Sequence, residues 1–163
     1  MRSNTVALLM AATLATGPGC TRGAVGPQSD AALADTLKER IAAAYTFDRP
    51  GAVERMNALY PSTGRVVSAS AGHMTTTVDS LRAAIASFWE QAGQNMTDAR
   101  WEWGLVEVDR LGDDAAVLTG TWSIPHIAPG GQEHVIRGAW TAVFRRLAGE
   151  WRIVHEHLSV PVD

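Results

Sequence analysis

The run Trp140-Thr141-Ala142-Val143-Phe144-Arg145-Arg146, a turn at Ala148-Gly149-Glu150, and the run Trp151-Arg152-Ile153-Val154-His155-Glu156-His157-Leu158-Ser159 decide the fold. Side chains alternate between faces along a strand. Both runs are rich in aromatic and β-branched residues, which predicts antiparallel strands over 133–146 and 151–159. In the last one Trp151, Ile153, His155 and His157 share a face, and Arg152, Val154, Glu156 and Leu158 share the other. In its neighbour, Trp140, Ala142 and Phe144 oppose Ala139, Thr141 and Val143. Both faces are partly apolar, and one layer of helices covers only one. The second face predicts a partner sheet, most simply that of a homodimer.

Working back along the chain, period two also holds from Ala99, where Trp101, Trp103 and Leu105 alternate with Glu102 and Gly104. Turns at Gly112-Asp113-Asp114 and Pro129-Gly130-Gly131 bracket a further strand over 115–124. Upstream the period lengthens. Leu33, Leu37, Ile41 and Tyr45 mark a helix over 30–47, broken by Asp48-Arg49-Pro50-Gly51. A short helix over 52–60 stops at Pro61, and 65–76 leans to β structure. Thr77 then caps a helix over 78–91, with Leu81, Ile85 and Phe88 on its apolar stripe and Gly93 after its end. Three helices before a four-strand meander indicate an α+β fold with the helices on one face of a curved sheet.

The 163 residues, 46% hydrophobic with a formal charge of -3, suit one domain with its own core. Scattered arginines and a mild acidic balance exclude an electrostatic nucleic-acid surface. The first twenty residues read as a signal peptide of lipoprotein type: Arg2, then an apolar run from Val6 to Ala15 too short to span a bilayer. The chain's single cysteine, Cys20, is the expected lipid attachment site, the only link to a membrane. Residues 21–29 form a flexible linker and 30–163 the domain. The competing reading is an ordinary secretory signal, since Gly17-Pro18-Gly19 lacks the usual aliphatic lipobox residue. Either way the expected location is the periplasm or cell envelope.

The C-terminal pair of strands, together with Ala116-Val117-Leu118-Thr119-Gly120-Thr121-Trp122, resembles the nuclear-transport-factor-2-like superfamily. It is most similar to SnoaL-like members and to the association domain of calcium/calmodulin-dependent kinase II. The resemblance implies a cone-shaped sheet with three N-terminal helices on its concave face, a pocket between them, and a convex face that dimerises. It places Trp103, Thr121, Trp140, Phe144, Val154 and Leu158 on the pocket wall, and His155 and His157 on the convex face. The catalytic sets of the superfamily are incomplete here. The position of an isomerase base falls near Ser68, and that of the oxyanion aspartate at Ala142. Arginines that bind anions in some kinase hubs are replaced by Ala142 and Leu158.

Glu156, set among apolar neighbours, is the candidate general base if it faces the pocket, because burial raises a carboxyl pKa. The competing reading pairs it with Arg145, Arg152 or another strand arginine. His157, with His155, is a second candidate for acid/base work. A metal site would need a third ligand from His73, His126 or His134, and none is assigned. The functional readings are a pocket for a small apolar or aromatic molecule, a cofactor-free isomerase, cyclase or dehydratase, or a dimeric interaction module.

Overall fold

The computed structural model describes residues 29–161. The expected signal segment and Cys20 lie outside them, as does all but the last residue of the linker. Helix α1 spans Asp30–Ala44 and α2 spans Ala52–Asn57. Strands β1 (Arg65–Ser70) and β2 (His73–Thr77) follow, then α3 (Val78–Gln91) and a 3-10 turn at Gly93–Asn95. Strands β3 (Glu102–Arg110), β4 (Ala115–Ile127), β5 (Glu133–Leu147) and β6 (Glu150–Ser159) complete the chain.

The caps explain where the helices begin. The Ser29 hydroxyl accepts a hydrogen bond from the Ala32 amide at the start of α1, and Thr77 does the same for Ser80 at the start of α3. Leu33, Leu37 and Ile41 give α1 a stripe with no solvent exposure. The expected α+β fold is borne out, with one enlargement. The β-leaning segment is a hairpin turning at Ala71-Gly72, both at positive φ, so the sheet has six strands in the order β2-β1-β6-β5-β4-β3. It is curled and unclosed, and β1 runs parallel to β6.

The inner face follows the expected alternation in β5, where Trp140, Ala142 and Phe144 are fully buried. In β6 it does not. Val143 pairs with His155 but Phe144 pairs with Ile153, so Val154 is one extra residue on β6. Such a β-bulge switches the side-chain parity of its strand. Trp151 and Ile153 therefore point inward before Val154, and Glu156 points inward after it. The strictly alternating face of Trp151, Ile153, His155 and His157 is corrected accordingly. The apolar pair belongs to the core and the histidines to the outer face.

Candidate functional site

Glu156 is 2% exposed, near the middle of the inner face. Strand register places Ser68 of β1 directly beside it on one edge and Ala142 of β5 on the other. Tyr60 arrives from the end of α2. The backbone there is pinned to β6 by a hydrogen bond from the Ile153 amide to the Leu59 carbonyl at 2.8 Å. Arg40 and Arg152 both donate to the neighbouring Ala58 carbonyl. These ties aim three donors at one carboxylate. The Tyr60 hydroxyl donates at 2.9 Å to Oε2 and lies 3.1 Å from Oε1. The Ser68 hydroxyl donates to Oε1 at 2.6 Å, and Trp140 Nε1 to Oε2 at 3.1 Å.

No cation joins this group. Arg145 is held by Asp114 at 2.8 Å and Arg152 by the Ala58 carbonyl, which corrects the expected arginine pairing. Among the described residues no ion pair includes Glu156. Burial pushes its carboxyl pKa above the ordinary value, against the three donors, each of which favours the ionised form. The hydroxyls of Tyr45 and Tyr60 are pushed up too, first by burial and then by the charge of Glu156.

In front of the carboxylate lies a cavity of about 300 Å³. Its polar wall is Glu156, Tyr60, Tyr45 and Ser70; the remainder is apolar. Helix α3 turns Leu81, Ile85 and Phe88 toward it from one side, and Trp101, Trp122 and Leu158 face it from the sheet. The Trp101 ring lies 4.6 Å from that of Tyr45 and stacks on Trp122 at 5.1 Å. The volume stands at the low end for small-molecule sites. Exposed Ser70, Ala84 and Val160 mark the mouth, and buried Tyr60 and Glu156 the inner end.

The family model described as "SnoaL-like domain" matches residues 37–163. The chain belongs to the SnoaL-like domain family. Solved structures agree on the fold. An NTF2-like protein from Pseudomonas putida KT2440 is 20% identical, with 82% of this chain and 89% of that one covered and a TM-score of 0.64. An NTF2-like superfamily protein from Salmonella enterica is 16% identical, with coverage of 83% and 95% and a TM-score of 0.63. The association domain of C. elegans CaMKII is 16% identical, with coverage of 78% and 92% and a TM-score of 0.60. A comparison with curated proteins finds no match.

The pocket wall of this SnoaL-like domain differs from the one expected. Leu158 lines the cavity. Trp140 lies beneath it, supporting Glu156, and Phe144 is core. Val154 is the bulge residue. Trp103 packs against α1, its indole N–H 3.3 Å from the Lys38 carbonyl. Thr121 is on the outer face, where its hydroxyl accepts from the Leu105 amide at a second bulge, between Trp103 and Val106. Outward parity in β4 removes it from the pocket.

His155 and His157 are exposed on the outer face and do not share the cavity with Glu156. His126 is buried against His134, with ring centroids 5.0 Å apart, and its Nδ1 lies 3.0 Å from the Ile124 carbonyl. Among the described residues no three His, Cys, Asp or Glu side chains gather for a metal ion.

Tyr60, Tyr45 and Ser68 are the site residues that sequence reasoning missed in these roles. The signal for Ser68 was present in part, because the resemblance set it and Ala142 at positions where other members carry carboxylates. Here the two flank Glu156 in one cross-strand row, so the carboxylate of this domain stands on the strand between them.

Proposed function

We propose that this SnoaL-like domain binds a small, largely apolar organic molecule in the cavity before Glu156. The supporting observation is a carboxylate with three donors and no cation, buried at the inner end of an aromatic-walled space. Such a cavity, mostly apolar with few convergent polar groups, is what a small-molecule site requires. A screen of small aromatic compounds by thermal shift and tryptophan fluorescence tests it. Binding that Leu158→Trp abolishes supports the reading, and binding indifferent to that blockade refutes it.

Catalysis on the same ligand is the second reading, favoured by one observation. Glu156 reaches the cavity with its pKa raised, as a general base requires, and the Tyr45 hydroxyl lines the same cavity. The chemistry would be cofactor-free proton transfer, as in an isomerase, cyclase or dehydratase. Deuterium exchange at the acidic C–H of a bound ketone, followed by NMR and lost in Glu156→Gln, is the expected result. Unchanged exchange in that variant ends the reading.

We also propose that the domain is exported and lipid-anchored through Cys20, and that it forms a homodimer through its outer sheet face. The apolar run before Cys20 supports the first. The second is supported by a row of exposed or small side chains crossing the sheet, Met74, Ala69, His157, Thr141 and Thr119, in direct register. Mass spectrometry of the mature N-terminus decides the anchor: a diacylglyceryl mass on Cys20 supports it, and an unmodified Cys20 ends it.

A further inference from the structure

A carboxylate buried without a counter-charge is costly, and proteins ordinarily pair it or hold it neutral. Among the described residues, Glu156 is the only charged side chain lining its cavity. All three groups that touch it serve it as donors, and donors suit the ionised form; the Trp140 indole in particular has no acceptor to offer. Among the described residues, then, the carboxylate has no positive partner. The walls in front of the carboxylate are the faces and edges of Tyr45, Trp101, Trp122 and Phe88. Aromatic faces attract cations through their quadrupoles, most strongly where water is excluded. A ring cluster ending on an unpaired carboxylate is thus complementary to an apolar body that carries a positive charge.

We propose that the cavity selects small organic cations, of the arylalkylammonium class, with the ammonium on Glu156 and the apolar part among the rings. This inference rests on the binding reading above and deepens it. The cavity, about 300 Å³, has room for roughly ten water-sized groups, enough for one aryl ring with a short ammonium chain. The hydroxyls of Tyr45, Tyr60 and Ser70 can accept a further N–H, beside the buried indole N–H groups of Trp101 and Trp122, which have no hydrogen-bond partner among the described residues. Among the described residues, no Lys, Arg or His lines the cavity to repel the cation.

The test compares three probes of one shape, 2-phenylethylammonium, 2-phenylethanol and phenylacetate, by tryptophan fluorescence at pH 7.5. The ammonium is expected to bind at least about tenfold more tightly than the alcohol, and phenylacetate most weakly. Glu156→Gln should abolish the preference, so that within the variant the ammonium binds no more tightly than the alcohol. Should that variant not fold, the wild-type pH profile replaces it. Affinity for the ammonium should fall at acid pH as Glu156 takes up a proton, while affinity for the alcohol stays flat. Besides Glu156, the titratable groups lining the cavity are Tyr45 and Tyr60, whose hydroxyls remain protonated throughout that range. Alcohol or phenylacetate binding as tightly as the ammonium, or a flat ammonium profile, overturns the cation inference and leaves the pocket reading standing. A domain that takes none of the three ends both.

Discussion

The Tyr60 hydroxyl lies 2.9 Å from Oε2 of Glu156, a contact that joins the end of the second helix to the last strand across 96 positions of sequence. With Ser68 and Trp140 it makes the inner end of the cavity a single hydrogen-bonded unit. The unit joins the end of α2, β1, β5 and β6, so weakening it affects both fold and site.

Removing one donor should therefore be costly. Tyr60→Phe and Ser68→Ala each delete a hydrogen bond to a buried carboxylate, worth about 1.5–3 kcal/mol. Urea denaturation at pH 7 should show losses of that size. Each variant should also move the Glu156 pKa further upward, readable by NMR of a side-chain carboxyl label.

The pH dependence of stability has a definite sign. The folded state raises the Glu156 pKa above its ordinary value of 4.5, so it holds the proton more tightly than the unfolded chain. The stabilisation is complete below the ordinary value and is lost as pH rises through the folded one. Melting temperature of the wild type minus that of Glu156→Gln should thus decline as pH is raised from 4.5. A difference independent of pH would contradict the burial of an ionisable group there.

The bulge in β6 makes a contrast between neighbours. Ile153 is fully buried, and Ile153→Ala should cost about 2–5 kcal/mol. Val154 is only half-buried as the extra residue, and Val154→Ala should cost less than about 1 kcal/mol. Chemical denaturation of both variants measures the difference; equal losses would place the bulge elsewhere.

On the outer face, Thr141 sits between His157 and Thr119 in the row that crosses the sheet, with its hydroxyl 3.4 Å from that of Thr119. Thr141→Arg should convert the proposed homodimer to monomer without altering the melting curve of the isolated domain. Light scattering across a concentration series reports the change. A wild type that stays monomeric at high concentration ends the dimer proposal.

Much of the fold was legible because its cues are local. Period-two runs around Ala148-Gly149-Glu150, the Thr77 cap and the Leu33-Leu37-Ile41 stripe each act within a few residues. The hairpin at Ala71-Gly72 was missed because its strands are short and polar, with four of the five residues of β2 exposed. The expected pocket wall failed for a different reason. The resemblance set Val154 and Thr121 on the wall, whereas a bulge in β6 and an outward register in β4 put them elsewhere.

The sequence by itself determined the fold class, the elements other than the β1–β2 hairpin and the prominence of Glu156, since patterning and turn chemistry are written in adjacent residues. Only the tertiary structure decided what surrounds that carboxylate. Tyr60, Ser68 and Trp140 lie 96, 88 and 16 positions from it and converge through the packing of α2, the parallel pairing of β1 with β6, and the β5–β6 register. No short-range pattern encodes such convergence. Among the described residues it also left the carboxylate without a cation, because Arg145 and Arg152 find nearer oxygens on Asp114 and Ala58.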